Sequence, residues 1–223
     1  MATDTGFEVA ELKAFHLSLS DQPGYWEDYR GGGSKSQRQD RLEFRKGWQT
    51  VYPTTVEAVL VRVTFTDGSI GWGESNSPIG PEVTALICER LLAPMVKGRS
   101  FDTPAALWDF LYDAQRGRGY AAGYYLDALA ALDIAAWDAI GCRAGLPVAQ
   151  LLTQTPRTHL PVYLSGLRQA TVEERIDAMR RWVDTGLKGI KIFVDGDLDA
   201  AGRELETLQQ AAGGDVEQWM IDT

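Results

Sequence analysis

Residues 160–194 read LPVYLSGLRQATVEERIDAMRRWVDTGLKGIKIFV, with two short apolar runs on either side of a helical pattern. The runs Leu160–Ser165 and Gly189–Val194 are typical of buried strands, because they are short and apolar. Between them, Thr171-Val172-Glu173-Glu174 has the form of a capping box, and apolar residues follow at helical spacing up to Gly186. This stretch predicts a β-α-β unit.

The same pattern repeats towards the end of the sequence. A second amphipathic helix is predicted from Leu198 to Ala212, where Gly213-Gly214 ends it, and a third apolar strand from Val216 to Asp222. Such strands suit a parallel sheet covered by helices. These units build either doubly wound sheets or (β/α)8 barrels, and the pattern alone does not choose between them. No glycine-rich phosphate loop follows the strands in the sequence, which argues against a dinucleotide-binding fold.

The preceding residues carry strand patterns first and helical patterns afterwards. Glu8–Leu19 alternates like a strand, and the runs Val56–Thr66 and Ile70–Glu74 are joined at Asp67-Gly68, a hairpin turn signal. Helices are then predicted from Pro81 to about residue 96, from Pro104, and from about residue 120 to 143. The last of these is apolar almost all round, which is typical of a buried helix. Residues 1–155 are therefore predicted to form an α+β domain, with residues 156–223 as a separate β/α unit.

A polar and aromatic segment from Ser20 to about Thr50 interrupts the first domain. A connection of this length is rare in a compact domain unless it is a lid or is disordered. An idle flexible loop is the simpler interpretation. The ring content, including Tyr25 and Trp26, favours a lid whose aromatic side chains contact a substrate.

Composition excludes several classes of partner. The chain has 31 acidic and 22 basic side chains and no basic stripe, so nucleic acid is an unexpected partner. Its most apolar stretch, residues 128–140, contains two aspartates and is too short to cross a bilayer.

The N-terminus lacks the basic and apolar regions of a secretory signal, so a cytoplasmic location is expected. Cys88 and Cys142 are expected to be reduced, packed thiols.

Two sequence motifs resemble the mandelate racemase/muconate lactonizing enzyme family of the enolase superfamily. They are VRVTFTDGSIGWGE at residues 61–74 and AALDIAAWD at residues 130–138, the latter followed by GLPV at residues 145–148. The resemblance implies a capping domain and a modified (β/α)8 barrel with its active site at the carboxyl ends of the strands. Since only three strands of a barrel are present, it also implies that the other strands follow Thr223.

The resemblance assigns roles to a few residues at the strand ends. The family usually carries Lys-x-Lys at the end of the second barrel strand, and residues 191–193 here read Lys-Ile-Phe. Lys191 resembles the lysine that faces the substrate carboxylate, whereas Phe193 stands in the place of the usual base. Asp222 resembles the first of three carboxylate ligands of Mg²⁺, the others being expected beyond Thr223. Ser165 is expected to contact substrate.

The resemblance implies a Mg²⁺-dependent lyase or isomerase that abstracts the proton α to the carboxylate of a hydroxy acid, a small-molecule substrate. Sugar-acid dehydration is the leading prediction, with cycloisomerisation or epimerisation as alternatives. A non-catalytic cap and partial barrel is the alternative for this chain by itself. A homo-oligomer is compatible with the family. Asp127, Asp133 and Asp138 are predicted to make structural hydrogen bonds, and His16 and His159 are assigned no chemistry.

Overall fold

The computed structural model describes residues 4–19, 38–39, 42–45, 50–193 and 197–222. These residues divide into two compact units. The first contains residues 4–19 and 56–156, and the second contains the described residues between 38 and 55 together with those from 157 to 222. The described residues between 38 and 55 thus group with the second unit, whereas the sequence placed them within the first domain.

Strands dominate the first part of the described chain, and helices become frequent after Ser75. The strands are β1 (Phe7–Leu19), β2 (Arg38–Gln39), β3 (Leu42–Arg45), β4 (Thr50–Pro53), β5 (Val56–Phe65), β6 (Ile70–Ser75), β7 (Ser100–Phe101), β8 (Tyr163–Ser165), β9 (Gly189–Phe193) and β10 (Gln218–Asp222). The helices are α1 (Pro81–Ile87), α2 (Ala93–Val96), α3 (Pro104–Arg116), α4 (Tyr124–Ala144), α5 (Val148–Leu152), α6 (Val172–Val183) and α7 (Leu198–Ala212). Among these residues, no helix is long and apolar enough to cross a membrane.

The first unit is built on an antiparallel sheet in the order β6-β5-β1-β7. Alternate residues of β5, from Val59 to Phe65, are almost completely buried, because they face the helical side of the sheet. On β6 the residues on that side include Gly71 and Gly73, and the backbone of α4 comes so close that a Cβ at either glycine would overlap it. The predicted hairpin and the buried Ala-rich helix are therefore confirmed, and small residues let them pack closely.

The helix predicted from Pro81 to about residue 96 is interrupted. A π-helical stretch, Cys88–Leu92, separates α1 from α2. Pro94, in the first turn of α2, has no N–H with which to continue the α-helical hydrogen bonding, and this accounts for an irregular stretch at this place. Both cysteines are free thiols, but only Cys88 is buried, so the expectation of a packed thiol is wrong for Cys142, which is exposed.

Two of the three aspartates of α4 make the predicted structural hydrogen bonds. The Asp138 carboxylate accepts a bond from the Trp72 backbone N–H at 2.8 Å, which ties α4 to β6. Asp127 accepts a longer one, at 3.4 Å, from the Ser77 hydroxyl. Asp133 differs, since no hydrogen bond reaches its carboxyl group within the described part of the chain. Burial raises the pKa of Asp133 to about 6.

We expect Asp133→Asn to stabilise the protein at high pH only. The folded-state pKa of Asp133 lies above its unfolded value. The protein therefore loses stability as the pH rises through the interval between the two pKa values, from about 4 to about 6. Because Asp133 is partly exposed, solvent screens part of the cost of its charge. We therefore expect the variant to gain about 1 kcal/mol in free energy of unfolding at pH 8 and nothing at pH 3. Urea unfolding at both pH values measures it. Asp109→Asn, on the exposed face of α3, is the control; equal gains at pH 3 and pH 8 would contradict the explanation.

The segment from Ser20 to about Thr50 is not wholly loop. Strands β2, β3 and β4 form a three-stranded antiparallel sheet, in which Phe44 pairs with Val51. These strands were not predicted, although β3 (Leu-Glu-Phe-Arg) alternates like a strand, because β2 and β3 are only two and four residues long. Tyr25 and Trp26 lie outside the described residues, so the lid and their substrate contacts stay predictions.

The second unit contains the predicted β-α-β-α-β pattern. The three strands of this pattern are parallel, in the order β10-β9-β8. The Thr171 side chain and the Glu174 side chain form the predicted capping box at the start of α6. A core that includes Met179 of α6, Ile190 of β9 and Leu208 of α7 joins the helices to the sheet.

Candidate active site

The two faces of the parallel sheet differ in chemistry. Side chains alternate along a strand, and one set, including Leu164 and Ile190, packs into the core with α6 and α7. The other set lies on the opposite face and carries the functional groups. It comprises Tyr163 and Ser165 on β8, Lys191 and Phe193 on β9, and Met220 and Asp222 on β10.

Lys191 and Asp222, the predicted catalytic residue and metal ligand, form an ion pair. The Lys191 ammonium nitrogen lies 2.7 Å from Asp222 Oδ2. The pair is diagonal across two strands, because Asp222 is in register with Phe193 and Met220 is in register with Lys191. Both side chains keep access to solvent, at 22% and 46% exposed. A cation and a carboxylate thus meet at the carboxyl end of the sheet, within reach of a ligand.

Ser165 is the β8 residue in register with Lys191. It is exposed on the same face and ends its strand. The structure therefore brings three of the predicted site residues, Ser165, Lys191 and Asp222, to one edge of one sheet. Their contact with a substrate stays a prediction.

Two aromatic rings flank the Lys191 ammonium group. Its nitrogen is 5.2 Å from the centroid of the Phe193 ring and 5.9 Å from that of the Tyr163 ring. Both distances are within the range of a cation–π interaction. Tyr163 was not among the predicted site residues, although the alternation that placed Ser165 on this face also places Tyr163, two residues earlier, beside it.

Asp222 suits a hard cation such as Mg²⁺ in its ligand chemistry, since Mg²⁺ prefers carboxylate oxygens. Among the described residues, no group of three or more His, Cys, Asp or Glu side chains is placed to hold a metal ion. Asp222 is therefore one ligand that these residues could supply, and a cation there would compete with the Lys191 ammonium group for Oδ2.

The first unit is an antiparallel sheet with its helices, and parallel β/α units with polar residues at their strand ends follow it in the chain. This order is that of a capping domain followed by the start of a (β/α)8 barrel. The chain belongs to the mandelate racemase/muconate lactonizing enzyme family, whose N-terminal domain model matches residues 41–153.

Curated relatives of the chain include sugar-acid enzymes. A D-galactonate dehydratase from Verminephrobacter eiseniae is 31% identical over 183 residues, which cover 75% of this chain and 45% of the relative. A D-galactarolactone cycloisomerase from Agrobacterium fabrum is 27% identical, covering 74% of this chain and 43% of the relative. The chain thus spans less than half the length of these two curated relatives.

Solved structures share the fold. A member of the enolase superfamily from Agrobacterium tumefaciens superposes with a TM-score of 0.85 at 35% identity, covering 96% of this chain and 54% of that one. A mandelate racemase/muconate lactonizing protein from Paracoccus denitrificans, complexed with magnesium, superposes with a TM-score of 0.69 at 24% identity, covering 97% of this chain and 53% of that one. The predicted family and fold class are confirmed.

Proposed function

We propose that the protein is a Mg²⁺-dependent sugar-acid dehydratase that removes the proton α to the substrate carboxylate. The observation that carries the proposal is the Lys191–Asp222 pair at the carboxyl ends of β9 and β10. Family membership supports the enolisation chemistry, and relatives named as galactonate, arabinonate and mannonate dehydratases support the substrate class.

The chemistry of the site follows from the weak acidity of the substrate. Removing a proton next to a carboxylate places a second negative charge beside the first, so fixed positive charge is needed where it develops. The Lys191 ammonium group binds the carboxylate and offsets part of this charge. Asp222 would contribute a carboxylate oxygen to Mg²⁺. The metal, when bound, supplies further positive charge at the carboxylate oxygens.

The overall reaction conserves atoms without an oxidant. The C–H bond at the α carbon breaks, the C–O bond at the β carbon breaks, and the proton and hydroxide leave as water. The resulting enol becomes a 2-oxo-3-deoxy acid. In this scheme Lys191 binds and orients the carboxylate, while Phe193 has no group that can take up a proton.

Incubation of the full-length protein with a panel of aldonates and Mg²⁺ tests the proposal. We expect at least one aldonate to yield a 2-oxo acid, detected as its semicarbazone, and chelation of the metal to stop the reaction. No 2-oxo acid from any aldonate, by a folded protein saturated with Mg²⁺, would reject it.

Phe193 leads to a stereochemical prediction. A two-base racemase needs a proton acceptor on each face of the planar intermediate, and a phenyl ring cannot be one. We therefore expect the protein to exchange the α proton of one configuration at C2 with solvent deuterium and to leave the other configuration unchanged. Deuterium NMR of both C2 epimers measures this. Rapid exchange from both epimers, with their interconversion, would contradict it.

Cycloisomerisation is the second candidate, because one relative is a lactone cycloisomerase. The two reactions differ in mass balance, since dehydration removes one water and isomerisation removes none. Mass spectrometry of the products from aldonates and aldarolactones distinguishes them. A product of unchanged mass from a lactone, with no dehydration of any aldonate, would favour the second candidate.

A further inference from the structure

The surroundings of the Lys191 ammonium group are arranged to hold a positive charge in one place. One side is the Asp222 carboxylate at 2.7 Å, and the centroids of the Tyr163 and Phe193 rings lie within 5.9 Å. An aromatic face carries negative electrostatic potential, so each ring attracts a nearby ammonium group. The carboxylate and the two rings together restrict where this ammonium group can lie.

Two glycines lie close to the aromatic residues beside Lys191. Gly166, with φ +85°, lies against Phe193 so closely that a Cβ there would be 2.2 Å from ring atom Cε2. The Gly166 N–H also donates to the Lys191 carbonyl at 2.8 Å, which fixes the turn after β8 against β9. Gly189 lies opposite Tyr163 on the neighbouring strand, and a Cβ there would be 2.9 Å from the Tyr163 Cβ. The close approach of the Phe193 ring to β8, and that of the Tyr163 Cβ to β9, therefore each depend on a residue without a side chain.

We propose that Tyr163 and Phe193 are positioning residues, an aromatic clamp that holds Lys191 as a fixed cation for the substrate carboxylate. The inference rests on the proposed function and deepens it. A second lysine at position 193 would repel the Lys191 ammonium group, whereas a ring attracts it. The replacement of the usual base by Phe193 therefore strengthens carboxylate binding at this strand end as well as removing a proton acceptor.

Ring-current shifts test the clamp without any turnover. The full-length protein is labelled with ¹³C-lysine, and the ε-methylene resonance of Lys191 is assigned by its absence in Lys191→Arg. We expect this resonance upfield of the ε-methylene resonances of the other lysines. The double variant Tyr163→Leu/Phe193→Leu is expected to lose this shift, whereas Tyr163→Phe and Phe193→Tyr keep it because they keep the rings. An unshifted Lys191 resonance in the wild type, or an unchanged one in the double Leu variant, would overturn the proposal.

The kinetic test separates binding from chemistry. Each ring-to-Leu change is expected to raise KM for the aldonate about two- to fivefold with kcat within about twofold, and the ring-keeping variants to restore KM. An unchanged KM in the double Leu variant would overturn the positioning role even if the resonance moves. Failure of every aldonate to react would reject the proposed function instead, and the resonance experiment would still decide the clamp.

Discussion

Lys191→Met lowers kcat/KM for the aldonate substrate by at least about 100-fold, while the free energy of unfolding changes by less than about 1 kcal/mol. Methionine keeps the apolar stem of lysine and removes the ammonium group. The substrate carboxylate then loses its fixed cation both in binding and as charge develops in the transition state, where such interactions matter most. Asp222, which loses its partner, is 46% exposed and remains solvated.

Lys188→Met is the matched control for this effect. Lys188 immediately precedes β9, is 53% exposed, and interacts with the Asp215 carbonyl and with Glu217 rather than with the strand-end groups. We expect its kcat/KM to stay within about twofold of the wild type. Steady-state kinetics and urea unfolding of both variants check the prediction. Wild-type activity in folded Lys191→Met protein would remove Lys191 from the site.

Gly73→Ala is expected to have the largest effect on stability, a loss of at least about 3 kcal/mol. A Cβ at Gly73 would lie 2.0 Å from the Ala131 carbonyl oxygen and 2.8 Å from the Ala135 nitrogen. Both atoms belong to the backbone of α4, so no side-chain rotation relieves the clash. Either the helix moves away from β6 and opens the core, or the hairpin distorts.

The matched control is Gly202→Ala on α7. Position 202 has open space around it and lies inside a helix, where alanine is favoured over glycine by about 1 kcal/mol. We therefore expect opposite signs for the same chemical change, destabilising at 73 and stabilising at 202. Chemical denaturation of the two variants provides the test, and a Gly73→Ala protein as stable as the wild type would show that α4 does not pack against β6 as described.

Much of the fold was predictable because local patterns and tertiary packing agree. The capping box at Thr171 and the apolar run through Ile190 each follow from residues close in sequence. The interruption after Ile87 was missed because the prediction followed apolar periodicity, whereas the signal was Pro94, which lacks the N–H needed to continue the α-helical hydrogen bonding. The raised pKa of Asp133 was not predictable from the sequence either, since burial without a hydrogen bond depends on what packs around α4.

The candidate site was only partly accessible from the sequence. Alternation along a strand put Lys191 and Phe193 on one face, but their roles came from family resemblance. The meeting of Lys191 with Asp222 depends on strand register, which short apolar strands do not specify by pattern. The contact of Phe193 with Gly166 depends on a turn geometry that a lone glycine does not reveal.

The activity of Asp222→Asn, measured beside the wild type across a range of Mg²⁺ concentrations, tests the central claim most directly. Asparagine keeps the shape of the side chain and removes its charge. If the Lys191–Asp222 pair marks the active site of a sugar-acid dehydratase, the full-length wild-type protein forms a 2-oxo acid from an aldonate. The folded variant is then at least about 100-fold slower and needs more Mg²⁺ for half-maximal activity. Equal rates and equal Mg²⁺ dependence in the two proteins would contradict the account.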